Sequence, residues 1–320
     1  MHLKGLNLNL LVVLDALLRE KSVTKTAERL NVTQPAISAA LQRLREYLDD
    51  PLLERNGRKV ELTQRARDLA VPVREILLRI ESALNTTPNF NPAEDKRTFR
   101  VAMSAHMAEL VGVPLVRYLI GHAPGISFQI VDLAVDSFKR VEEGDLDLCL
   151  TISERVLENP VNDVSNLQSE HLFFDNFTIV ASRDNTVLKS TITYDEFCDQ
   201  PYVELLFNGN FRSLPDIVLS GQEKRPTVNA WMQTSQNVLA AVGSTKAVAI
   251  VPTRLYELHK ETLRLRKIAP PISLPRIEQR CFWHKRNDID SGHRWFRQTL
   301  TMIANSDSDK SAKLPDLQAA

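Results

Sequence analysis

No stretch of the chain approaches the roughly 20 consecutive apolar residues that a helix needs to span a bilayer, so a soluble protein with no membrane partner is expected. The apolar run from Leu6 to Leu18 is interrupted by Asp15 and followed by no small-residue cleavage pattern. It reads as a first helix and not as an export signal. Net charge is missing too: 40 Lys and Arg stand against 40 Asp and Glu, so the whole-chain field does not announce a polyanion binder. Cysteine is scarce. Cys149, Cys198 and Cys281 have neither metal-ligand nor redox spacing and are too few for a disulfide framework, which fits a reducing cytoplasm. A G-x-S-x-G elbow, a glycine-rich phosphate loop, a paired-histidine metal motif and a dehydrogenase fingerprint are all absent. Ser104 and His106 as part of a hydrolytic site are therefore a weak alternative, and no catalytic residue, metal or cofactor is expected.

What is present begins with SVTKTAERLNVTQPAISAALQRLREYL, residues 22–48. Ser22 suits the N-cap of a helix from Val23 to Leu30, Asn31 and Val32 make a turn, and Thr33 caps a second helix in which Pro35 is tolerated at the first turn. In that helix Ile37, Leu41, Leu44 and Leu48 recur at steps of four, three and four, while Gln34, Ser38, Gln42 and Arg45 line the opposite side. Short polar side chains at the amino end with arginine beyond suit a helix that reads base edges and holds phosphates; an ordinary amphipathic hairpin would show the same pattern. Asp49-Asp50-Pro51 then stops the helix, and two short strands joined at Asn56-Gly57 form a basic hairpin with Arg55, Arg58 and Lys59 at its tip. Residues 1–66 hold eleven Lys and Arg against eight Asp and Glu, a small excess whose clustering matters more than its size.

The runs LNLLVVLDALL, SVTKTAERLNVTQPAIS and LLERNGRKVELTQRA resemble the LysR-type transcriptional regulators, and the resemblance extends in order over almost all of the chain. It implies that Gln34, Pro35 and Ser38 lie at the DNA and that Arg55 meets the backbone beside the wing. Ala39-Ala40 replaces an arginine common after the serine, which shifts one phosphate contact, with Arg43 as the substitute. Thr33, Gln34, Pro35, Ser38, Gln42, Arg43, Arg45, Arg55 and Arg58 are the expected DNA contacts.

From Ala66 to Leu84 an apolar stripe predicts a long helix, read as a dimer strut, with a kink or restart at Pro72; residues 86–95 read as a linker. Beyond Lys96, strands alternate with helices, which implies α/β architecture with parallel sheets and two lobes. The resemblance adds the arrangement: an α/β chain with an N-terminal winged helix-turn-helix over 1–62, a long linker helix and hinge over 63–94, and a two-lobed effector domain like a periplasmic binding protein over 95–305. Lobe I takes 95–168 and 269–305, and lobe II takes 169–268. A polar tail over 306–320 is expected to be disordered.

Ligands in open parallel sheets bind beyond the carboxyl ends of strands, against helix amino ends. That rule selects Ser104 and His106, Phe207 and Asn208, and Thr234 and Ser235; Phe282 is added as a strand residue returning toward the hinge. Ser104, Thr234 and Ser235 read equally well as helix caps, and Phe282 as core. The runs LNLLVV, AVPV, STKAVAIVP and FWHKRNDIDSGHRWFRQ resemble the branch containing naphthalene/salicylate and nodulation regulators, whose members sense small aromatic acids, phenols or flavonoids. The resemblance implies double-stranded DNA with an inverted-repeat promoter site, an aromatic effector, homodimers or homotetramers and RNA polymerase as partners, leaving activator or repressor open. An architectural DNA-binding protein without an inducer is the alternative.

Overall fold

A computed structural model describes residues 7–57, 59–85, 90–152, 165–206 and 212–306. The chain divides into two compact units, residues 1–86 and 87–320.

In the first unit, α1 (Leu8–Glu20), α2 (Val23–Leu30) and α3 (Gln34–Leu48) are followed by strands β1 (Leu53–Asn56) and β2 (Lys59–Leu62) and the helix α4 (Gln64–Asn85). The caps follow the sequence. Ser22 accepts from the Lys25 amide, and Asn31 ends α2 in the left-handed region at φ 52°, where Asn is tolerated better than most residues. Leu14, Leu17, Ala27, Ile37, Leu41, Leu44, Leu48 and Leu52 form the core, which confirms the inward face expected for α3. The Asp50 carboxylate accepts from the Leu52 amide and the Thr63 hydroxyl, both at 2.7 Å, and so ties the start of the wing to the start of α4. Asn56 pairs with Lys59 and so ends β1 instead of opening the turn, and Gly57 follows it at φ +63°.

α4 is a single helix through Pro72, so of the kink or restart expected there the restart does not occur. Its stripe is also divided: Ala66 and Val73 are buried in this unit's core, with Leu69, Ala70 and Leu77 packed on it, and Arg74 bonds Asp15 of α1 at 3.1 Å. That half of the stripe already has its partner. Ile76 and Leu84 remain exposed.

The second unit holds two five-stranded sheets. The first is ordered β4-β3-β5-β12-β6, from β3 (Arg97–Met103), β4 (Ile126–Asp132), β5 (Leu148–Ile152), β6 (Leu167–Asp175) and β12 (Ile277–His284). The second is ordered β11-β7-β10-β8-β9, from β7 (Phe177–Ser182), β8 (Tyr202–Leu205), β9 (Val228–Met232), β10 (Val248–Pro252) and β11 (Leu265–Ile268). Both sheets are mixed where purely parallel ones were expected: β12 runs antiparallel to β5 and β6, and β7 antiparallel to β10 and β11. The lobe boundary also moves. β6 pairs with β12 along its length, so lobe I extends to Asp175 and the first crossing falls at Asn176, not between 168 and 169.

In lobe I, α5 (Ala105–Met107), a π-helical turn (Ala108–Gly112) and α6 (Val113–His122) follow β3, α7 (Ser137–Glu142) precedes β5, and α12 (Ser291–Ser306) closes the described chain. Lobe II carries α8 (Tyr194–Cys198), α9 (Leu214–Ser220), α10 (Ser235–Gly243) and α11 (Thr253–His259). The helix expected to end near 304 runs to Ser306; the tail expected from 307 onward, and the linker over 86–89, lie outside the described residues. Among the described residues no helix is long and apolar enough to cross a membrane.

Candidate functional site

In the first unit α3 presents an exposed polar face. Thr33, Gln34, Pro35, Ser38, Gln42 and Arg43 are exposed because the i, i+4, i+7 spacing of Ile37, Leu41 and Leu44 turns the other side of α3 into the core. Thr33 occupies the N-cap position without making a side-chain cap bond. The Gln42 amide donates to Glu46 at 2.9 Å, and the Arg45 Nε donates to the Pro51 carbonyl at 2.9 Å, so Arg45 holds the start of the wing. Arg55 is exposed on β1. The β1–β2 register sets it on the face of Leu53, Val60 and Leu62, with Lys59 on the other face beside Glu54 and Glu61. Arg55 and Lys59 therefore sit on opposite faces of the wing. Arg58 lies outside the described residues.

In the second unit a cavity opens between the lobes, with about 760 Å³ of atom-free space, open mouth included. Lobe I contributes Ser104, His106, Leu133, Thr151, Ile152, Ile277 and Gln279. Lobe II contributes Phe177, Tyr202, Leu205, the amino end of α9, Ser235, Val238 and the last residues of β10. Ser104, Leu133, Ile152 and Leu205 stand at or just beyond strand carboxyl ends, as the crevice rule requires. The Ser104 hydroxyl lies 2.9 Å from His106 Nδ1, and the Gln279 amide nitrogen 3.4 Å from His106 Nε2. Burial pushes the Tyr202 phenol well above its ordinary range, so it stays neutral.

Of the expected effector residues, Ser104, His106 and Ser235 meet on this wall. Thr234 sits behind it as the N-cap of α10, accepting from the Asn237 amide at 3.3 Å. Phe282 is a correction: it is buried against Phe138 at 5.1 Å between ring centres, in a cluster with Ala102, Val141, Leu146 and Cys149, and does not line the cavity. Phe207 and Asn208 lie outside the described residues. Sequence reasoning missed Gln279, Thr151, Phe177 and Tyr202.

Both ends of α11 grip lobe I. At its start the Arg254 amide donates to Asp175 and the Arg254 guanidinium to the Ala304 carbonyl at 2.8 Å; at its end His259 Nε2 lies 2.5 Å from Glu109 of the π-helical turn. The segment that carries Ser104 and His106 is thus bridged to lobe II through Glu109.

Comparison with known proteins agrees with this geometry. Residues 8–67 match the family model described as bacterial regulatory helix-turn-helix protein, lysR family, and residues 92–303 match the LysR substrate binding domain. Nodulation protein D 2 of Rhizobium leguminosarum bv. phaseoli is 33% identical over 308 residues, covering 95% of this chain and 94% of the relative. Nodulation protein D 1 of Rhizobium tropici is 31% identical, covering 95% and 97%. Among solved structures, full-length OxyR C199D from Pseudomonas aeruginosa superposes with a TM-score of 0.67 over all of both chains at 17% identity, a likeness of fold. ArgP from Mycobacterium tuberculosis gives 0.65 at 16% identity, over 93% of this chain and 97% of that one. With a helix-turn-helix and wing in one unit and a two-lobed α/β fold in the other, the chain belongs to the LysR family of DNA-binding transcriptional regulators.

Proposed function

We propose that a small aromatic compound, an acid or a phenol, binds the inter-lobe cavity and changes how this regulator bends its DNA and so the activity of the promoter. The observation that carries this reading is the cavity: mostly apolar, with a few convergent polar groups, and walled by both lobes. A ligand touching both walls favours one closure by its differential affinity, typically 1 to 3 kcal/mol of coupling. Repacked effector units would change the spacing of the paired reading helices and the bend between half-sites. Thermal melting with a panel of aromatic acids and phenols tests this, since a ligand at 100 times its Kd should stabilise by about 2.7 kcal/mol. The shift should vanish in Val238→Phe, which fills the cavity, while operator affinity without effector stays near wild type. A shift that survives Val238→Phe places the ligand elsewhere.

The regulator would act as a dimer through α4 and as a tetramer through the effector units, on an inverted-repeat site, with RNA polymerase as a further partner. Ile76, Ile80 and Leu84 recur at i, i+4 and i+8 with Ile76 and Leu84 exposed, and on lobe I Val113, Val116 and Ile120 form an exposed row on α6. Light scattering at micromolar concentration should show the oligomer, and Ile76→Lys with Leu84→Lys should lower its order. A wild-type monomer, unchanged by DNA, would sink the assembly.

A further inference from the structure

Resting on the reading of the cavity as the effector site, we infer that its ligand is uncharged and offers a hydroxyl to Gln279, so that the site takes phenols and rejects aromatic carboxylates. Among the described residues lining the cavity there is no Lys, Arg, Asp or Glu. A carboxylate entering it would shed its water without gaining a countercharge, and burying an unpaired charge costs far more than burying a hydrogen-bonded hydroxyl.

The positive features on the wall are the amino ends of α10 at Ser235 and of α9 at Leu214, each worth at most about half a charge, with the Asn237 amide already taken by Thr234 and the Asp216 amide by Ser213. An anion would find little there.

Gln279 supplies the second half of the argument. It is 2% exposed, lines the cavity, and its Oε1 is buried with no hydrogen-bond partner. An unmet buried acceptor is a standing cost that a ligand relieves by donating a proton to it. A hydroxyl has that proton; a carboxylate has none and would set its charge against the carbonyl oxygen. The amide nitrogen of the same side chain faces His106 Nε2. With Gln279 donating there, the His106 proton sits on Nδ1 and points to Ser104, which leaves Oε1 as the open acceptor. Gln279 is therefore the specificity-determining residue, reached through neither a charge nor a helix cap.

The test is calorimetric titration of the full-length protein at pH 7 with 2-naphthol, 2-naphthoate and naphthalene, which share one ring system. The inference expects 2-naphthol to bind at least about ten-fold tighter than 2-naphthoate. Gln279→Met should lower 2-naphthol affinity about ten-fold, to the level of naphthalene, whose own affinity stays unchanged and so reports an intact cavity. Equal or tighter binding of 2-naphthoate overturns the selection against charge. Preference for 2-naphthol over naphthalene that survives Gln279→Met overturns the role of Gln279. Binding of none of the three, or binding insensitive to Val238→Phe, overturns the cavity reading itself, which separates that failure from the other two.

Discussion

Acidification below pH 6.5 is expected to strip stability from the effector unit at about 1.4 kcal/mol per pH unit through one residue, His293. Its ring is completely buried in the first turns of α12. Arg297 donates to Nδ1 at 2.7 Å, and Nε2 faces the Asp147 carbonyl at 3.2 Å, an arrangement that fixes the neutral ring with its proton on Nε2. Burial first, and then the Arg297 charge, push its pKa down from 6.5 to about 3. In the unfolded chain the ring takes up a proton near pH 6.5, whereas the folded protein refuses it until about pH 3. The unfolded state therefore holds more protons between these values, and stability present above 6.5 is lost as the pH falls. Asp147 and Asp175 pull the other way, because burial holds both carboxyls above their ordinary range. The His293 contribution is accordingly read as a difference. His293→Gln keeps an acceptor for Arg297 and a donor for Asp147 but cannot titrate. Denaturant unfolding at pH 7 and pH 5 should show wild type losing about 2 kcal/mol more than the variant, and parallel losses would mean that His293 carries its charge inside the fold.

Replacing Gln34 or Ser38 by alanine should lower affinity for the operator about 10- to 100-fold, since a good base contact is worth roughly 1 to 3 kcal/mol, and leave random-sequence binding almost intact. Both side chains are exposed and uncharged on the open face of α3, so they release no counterions. Arg55→Ala should weaken both kinds of binding and flatten the salt dependence by about one phosphate contact. Arg45→Ala should act differently from either, by loosening the Pro51 turn that its Nε holds. Binding isotherms at several salt concentrations separate these cases; equal losses on operator and random DNA for Gln34→Ala would rule out direct reading of bases by that residue.

The reading unit was legible in the sequence because its signals are local: caps at Ser22 and Asn31, a strict apolar spacing in α3, and a glycine at the wing turn. The α4 stripe was misjudged because a helix pattern shows that a face is apolar without naming what covers it, and α1 covers half of it. Lobe I was cut short because β6 and β7 are separated by Asn176 alone, so nothing in the composition marks the crossing. On the cavity wall, Ser104, His106 and Ser235 were visible because they follow strands or start helices. Gln279 was not, since it lies inside β12, where the outcome depends on which face is inward. Phe282 failed for the same reason: Cys281 and Trp283 on either side of it face the core beneath α12, and Phe282 faces α7.

The strand order of the first sheet also bears on how the protein emerges from the ribosome. β12 lies between β5 and β6, yet more than 100 residues separate it from either, so lobe I stays split down its middle until residue 284 has been synthesised. Lobe II, continuous from Phe177 to Ile268, has all five of its strands well before then. Domains generally fold as units and earlier segments first, so the nascent chain should hold a finished lobe II beside an open lobe I. A truncated chain ending at residue 268 and released from the ribosome should then resist protease across lobe II while β3 to β6 are cut.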